Sequence, residues 1–168
     1  MIPSLFVSTI LTPGLGLLRK IAPNIPASRN ARVLMLAIAG QESNWSARVQ
    51  SGNGAAHGHW QFERGGGVAG VLANPASKDA ARAVCAAASI PADPVHAWGL
   101  MTTARGDPLA VCFARLLPWT DPRALPDAED DDGGWNCYLR NWRPGKPHPA
   151  SWAVCMQAAR GALPDGGG

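Results

Sequence analysis

Three features of this 168-residue chain predict a mainly α-helical fold. Apolar residues recur at helical spacing almost throughout, no segment alternates as a half-buried strand would, and aspartate-proline helix starts recur. The only room for β structure is the glycine-rich stretch 51–70, where a small β-hairpin fits.

The opening segment, residues 1–26, is apolar, with Arg19 and Lys20 after the apolar stretch rather than before it, which is not the order of an export signal. Pro13 and Gly14 interrupt it, so no membrane span is expected, only an N-terminal helical extension in two short pieces. Ser28 is placed to cap a helix running to about Gln41. Its stretch "RNARVLMLAIAG" is too continuously apolar for an exposed face and predicts a buried central helix.

Beyond the glycine-rich stretch, Asn74-Pro75 precedes a helix in "ASKDAARAVCAAAS". Asp93-Pro94 and Asp107-Pro108 each read as a capping aspartate followed by proline in the first turn. "PWTDPRALPDAEDDDGG" reads as a long connection whose acidic run is a solvated loop, without the alternating ligands of a calcium site. "WNCYLRNW" predicts a helix ending at Arg143-Pro144-Gly145, and "ASWAVCMQAARGAL" the last helix. The expected organisation is an extension at 1–26, a domain at 27–163 and a frayed tail at 164–168.

Composition narrows the chemistry. Charged residues make up 16% of the chain, low against a typical quarter, and the net charge is +3. A mild positive balance suits approach to anionic polymers such as bacterial wall. The arginines are scattered rather than clustered, so no specific nucleic-acid partner is expected. Cys85, Cys112, Cys137 and Cys155 lack zinc-ligand spacing and read as buried free thiols. His57 and His59, two apart, do not make a helical metal pair, and no metal or cofactor is expected. There is no G-x-S-x-G elbow, Walker loop or HExxH, and the glycine run 65–67 lacks the strand a dinucleotide loop needs.

The carboxylates remain. The chain has three glutamates, and two of them, Glu42 and Glu63, lie in "AIAGQESNWSARVQSGNGAAHGHWQFERGGG" (37–67) among tryptophans, glutamines and glycines. Glu42 sits at the carboxyl end of the buried helix, where the helix dipole disfavours negative charge and favours a raised pKa. That is the property of an acid catalyst, and Trp45 and Ile38 are placed to add a low-dielectric wall. Glycoside cleavage needs such an acid, and indole faces suit sugar rings, although any single tryptophan is more often core.

"AIAGQESNWSARVQSGNGAAHGHWQFE" resembles the catalytic stretch of lysozyme-like lytic transglycosylases and goose-type lysozymes. There a helix ends in Glu-Ser, and a Ser-x-x-Gly-Ala-x-Gly-Leu-Met-Gln segment follows. Glu42-Ser43 holds the first position and "SGNGAAHGHWQ" (51–61) the second, with His59-Trp60 in place of Leu-Met. "YLRNWRPGKP" (138–147) loosely echoes the family's tyrosine-asparagine-glycine element, with Asn141 three residues after Tyr138. The resemblance implies a lysozyme-like domain with Glu42 as general acid/base. It also implies Ser43, Trp45, Trp60, Gln61, Tyr138 and Asn141 as substrate-binding residues, with Glu63 a candidate second carboxylate.

"WQFERGGGVAGVL", "FARLLPWTDPRALP" and "WNCYLRNWRPGKP" also resemble segments of small tailed-bacteriophage proteins. The expectation is a phage-encoded muralytic glycosidase cutting peptidoglycan glycan strands. It would act on the periplasmic wall from the virion, beside other virion proteins, or from the host cell during lysis. The alternatives are a structural tail or core protein of the same fold without turnover, and a nucleic-acid-binding packaging or core protein.

Overall fold

The computed structural model describes residues 1–49 and 54–163; part of the glycine-rich segment (Ser51 and Gly52 among it) and the predicted frayed tail lie outside them. The described chain is mainly α-helical, with a two-stranded antiparallel sheet as its β element. The hairpin pairs β1 (Ala56–His57) with β2 (Phe62–Glu63), in register Ala56 to Glu63 and His57 to Phe62.

At the amino terminus, α1 (Pro3–Phe6) runs through a π-turn (Val7–Leu11) into α2 (Thr12–Ile21). Pro13 and Gly14 therefore do not break this segment. The Thr12 N–H reaches back to the Val7 carbonyl, and that wider turn precedes a proline sitting in the first turn of α2. Gly14 is required by packing, because a Cβ there would collide with Val111. Phe6, Leu11 and Leu18 are buried in the same core as the rest of the chain, each such side chain contributing about 1.5–3 kcal/mol.

The central element is α3 (Arg29–Ser43), with Ser28 Oγ accepting from the Ala31 N–H at 3.3 Å as its spacing predicted. Every residue from Val33 to Gly40 is buried, so the helix is wrapped on all sides. It packs along α9 (Pro149–Ala162) and touches α7 (Asp107–Trp119), the other heavily buried helix, which carries α2. Between hairpin and α7 run a second π-turn (Arg64–Val68), α4 (Ala69–Ala73), α5 (Lys78–Ala87) and α6 (Pro94–Leu100). Asp93 caps α6, accepting from the Val95 and His96 N–H groups.

Asp107 does not repeat that device. It lies inside the first turn of α7, and its carboxylate takes two hydrogen bonds from Arg48, at 2.8 and 2.7 Å, with His59 Nε2 at 3.5 Å. Burial alone would raise this carboxyl; the bonds from Arg48 and the neighbouring His59 hold it below the usual range. The acidic run faces solvent as expected, but it is tied down by ion pairs and is not all loop. Glu129 pairs with Arg29 at 3.0 Å, Asp131 with Arg160 at 2.6 Å, and Asp130 caps α8 (Asp131–Trp142), which starts within the run.

All four cysteines are buried free thiols, and burial pushes Cys112 up to about 12. Among the described residues no helix is long and apolar enough to cross a membrane.

The Arg48–Asp107 clasp ties the loop after α3 to the start of α7. Asp107→Asn leaves the guanidinium without its carboxylate, and a loss of about 3 kcal/mol is expected in urea denaturation at pH 7. Because the folded-state pKa is depressed, the wild type loses this contribution as pH falls below about 4, so the gap to the variant should close there.

Candidate active site

At its carboxyl end α3 turns sharply, with Asn44 (φ 48°) and Trp45 (φ 55°) both in left-handed backbone. The Asn44 N–H bonds the Gly40 carbonyl at 2.9 Å, and the Trp45 indole folds back over Gly40 to donate to the Leu36 carbonyl at 2.9 Å. The turn closes the buried helix and leaves Glu42 half-buried at its rim.

There a cleft of about 920 Å³ opens between the end of α3, the hairpin, the π-turn of glycines and the segment joining α8 to α9. Glu42, Gln61, Glu63, Tyr138 and Asn141, distant in sequence, all line it. The Tyr138 hydroxyl donates to Glu42 Oε1 at 2.6 Å. Burial raises the Glu42 pKa, the Tyr138 hydrogen bond opposes that rise, and the charge of Glu63 adds to it. Burial and the adjoining carboxylate also push the Tyr138 phenol up, so it stays a donor.

Glu63 is exposed on the cleft wall. The arginines nearest in sequence do not hold it: Arg48 is spent on Asp107, and Arg64 lies over the Trp98 ring at 5.9 Å. Gln61 adopts φ 48°, and its amide donates to the Gly58 carbonyl at 2.8 Å, fixing the side chain at the cleft wall. Asn141 is held from behind by the Cys137 carbonyl at 2.9 Å and Asp121 at 3.3 Å.

Three expected substrate contacts are not in the cleft. Ser43 is buried and donates to the Ala39 carbonyl at 2.9 Å, its own helix's preceding turn. Trp45 covers Gly40, and Trp60 is fully buried, its indole donating to the Met35 carbonyl at 2.8 Å. Five of the seven tryptophans donate to main-chain carbonyls in this way, which settles most of them as core braces. His57 and His59 also go to separate partners, His57 stacking on Trp98 with centroids 3.4 Å apart and His59 facing Asp107.

No protein-family model, curated protein or solved structure matches the chain. The site's own chemistry is what remains to read.

The cleft's aromatic wall is Phe62 with Trp142, whose centroids lie 5.9 Å apart, with Tyr138 next to Trp142 at 6.4 Å. Trp142 follows Tyr138 by four residues on α8, so helical spacing alone put it on the same face. Arg140, Arg143 and Lys146 line the cleft as well, and their approach depends on how α8 and α9 are joined, which no local pattern signals. The opposite wall is bare main chain: at Gly65 and Gly70 an added Cβ meets nothing within 4 Å.

Two outcomes test this geometry. A raised Glu42 pKa means that ionisation costs the folded state; the cost is absent below the ordinary carboxyl value of about 4.3 and grows as pH rises through the folded one. Glu42→Gln, which can still accept from Tyr138, should therefore show a higher urea midpoint than wild type at pH 7 and converge with it near pH 4. Gly70→Ala should stabilise the protein by about 0.5–1 kcal/mol, as replacement of an unhindered helical glycine does, without obstructing the cleft.

Proposed function

We propose that the protein is a muralytic glycosidase that cleaves the glycan strands of bacterial peptidoglycan, with Glu42 as general acid/base. The observation that carries this reading is the half-buried Glu42 carboxyl in an open, extended cleft, its pKa raised by burial and its second oxygen left for substrate while Tyr138 holds the first. The partly exposed Trp142 ring, together with the bare glycine backbone of the same cleft, suits flat pyranose rings in a linear polymer. The resemblance of 37–63 to lytic transglycosylases supports the same assignment.

In the transglycosylase course, Glu42 gives its proton to the glycosidic oxygen as the C1–O bond breaks. The resulting carboxylate takes the proton of the muramoyl 6-hydroxyl while that oxygen bonds to C1, leaving a 1,6-anhydro end and a protonated Glu42. In the hydrolytic course water attacks instead, with Glu63 as base, a geometry that needs the two carboxyls about 6.5–9.5 Å apart. Glu63 lies close enough for its charge to act on Glu42. By resemblance to tailed-phage proteins, we place this activity in a virion that opens the wall, or in the lysis of the host cell.

The competing reading is a structural virion protein. It draws on the Tyr138–Glu42 bond itself, which joins α8 to α3 and satisfies a half-buried carboxylate without any substrate.

Incubation with isolated Gram-negative sacculi, with muropeptides read by mass spectrometry, separates the two. Wild type should release anhydro-muropeptides, with Glu42→Gln slower by roughly 10³-fold, the scale of a lost general acid. Reducing-end products would assign hydrolysis and bring Glu63 into the mechanism. Folded wild type that releases nothing beyond the Glu42→Gln level would establish the structural reading instead.

A further inference from the structure

The cleft does not end at the aromatic wall. A side lobe of about 470 Å³ continues it past the carboxyl end of α7, and Arg140, Asn141 and Arg143 line both spaces. Three arginines, Arg123, Arg140 and Arg143, face this lobe against one carboxylate, Asp121.

The pairing within the lobe is uneven. Arg140 is spent on Asp121, with Nε and the terminal amine both at 3.1 Å. Asp121 also accepts from Asn141 and from the Arg123 main-chain N–H, so its capacity is used by groups that shape the lobe. Burial would raise the Asp121 carboxyl, but these hydrogen bonds and Arg140 hold it low, so it stays ionised and stays with Arg140. The Arg123 side chain and the terminal amines of Arg143 face no carboxylate among the described residues. Arg143 reaches its place from left-handed backbone (φ 50°), with Nε on the Arg140 carbonyl at 3.4 Å, an uncommon conformation for a side chain of this size.

The main cleft mixes Glu42 and Glu63 with Arg140, Arg143 and Lys146, whereas the lobe holds guanidinium groups that its one carboxylate does not pair. A neutral glycan has nothing to offer such a lobe. We propose that the lobe binds a carboxylate on the peptide branch of the substrate, so that Arg123 and Arg143 select peptide-bearing strands over bare sugar polymers. Guanidinium groups suit this role, because their planar donors match a carboxylate in paired hydrogen bonds. This inference rests on the glycosidase reading and adds the substrate class to it.

The test is isothermal titration of Glu42→Gln protein, which turns substrate over roughly 10³-fold more slowly than wild type. Its ligands are chitotetraose, a disaccharide-repeat tetrasaccharide carrying its stem peptides, and that tetrasaccharide with its carboxylates amidated. The peptide-bearing ligand should bind roughly tenfold more tightly than either other ligand, the scale of one charge-assisted contact. Adding Arg123→Gln and Arg143→Gln should abolish that advantage, while Arg123→Gln alone, which lines the lobe and not the main cleft, should leave chitotetraose affinity unchanged; both side chains are exposed, so the fold should survive, as circular dichroism can check. Equal binding of all three ligands, or a preference that survives the double substitution, overturns the lobe assignment and leaves the glycosidase reading standing. Failure to bind any of the saccharides overturns the glycosidase reading, and this inference with it.

Discussion

A helix buried on every side has only its ends at which to carry polar chemistry, and α3 is such a helix. From Val33 to Gly40 nothing on it reaches solvent, so helices, the N-terminal segment and the loop after it must all supply cover. Two indoles do part of this by donating to carbonyls of its second turn, Trp60 to Met35 and Trp45 to Leu36. Those carbonyls already accept within the helix; the indole N–H groups use their second lone pairs and so are not buried unsatisfied. This double bracing fixes where α3 stops. Glu42 is the first carboxylate past the sealed stretch, and its half-burial follows from that position.

The rest of the charge distribution follows a similar division. Carboxylates that hold elements together are matched to arginines: Asp107 to Arg48, Asp131 to Arg160, Glu129 to Arg29, Asp121 to Arg140. Glu42 and Glu63 are the glutamates outside that scheme, and both face the cleft. A chain of low charge content has tied many of its acids into structure and left these two facing the cleft. The same economy on the cationic side leaves Arg123 and Arg143 facing a concavity rather than a partner.

Signals that depend on neighbours in sequence were legible. Ser28 and Asp93 cap helices because a side-chain oxygen reaching two or three residues ahead needs no tertiary information. The cleft members Glu42, Gln61, Tyr138 and Asn141 were legible through the resemblance to lytic transglycosylases, which implies that three separate segments share one site. Asp107 carries the same local signature as Asp93, yet a guanidinium 59 residues earlier in the chain outcompetes the helix N–H groups for it. The ion pairs of the solvent-facing acidic run were not legible, because its cations, Arg29 and Arg160, lie far away in sequence. Trp45 and Trp60 resemble sugar platforms in composition, and only the packed structure shows that a buried carbonyl claims each indole. Pro13 reads as a break because local rules assume an α-turn, whereas the preceding π-turn changes what the proline meets.

Tyr138 bears on the proposed reaction in a way that its opposing effect on the Glu42 pKa makes clear. A phenol donates a stronger hydrogen bond to a carboxylate than to a carboxylic acid, so the 2.6 Å contact favours the state that follows proton release. Burial and the charge of Glu63 favour the state that precedes it. In the proposed reaction the two influences would retain the proton until a glycosidic oxygen is in place, then leave a carboxylate with a partner already in position. The phenol is itself held by ring contacts to Trp152, at 5.5 Å and nearly parallel, and to Trp135 at 5.3 Å, so its oxygen need not reorganise as charge develops. A saccharide filling the cleft removes water from both carboxylates and strengthens every one of these interactions together. Substrate binding would thus raise the acid's pKa further while deepening the stabilisation waiting for its conjugate base, so binding and proton transfer are coupled through the one pair of side chains that joins α3 to α8.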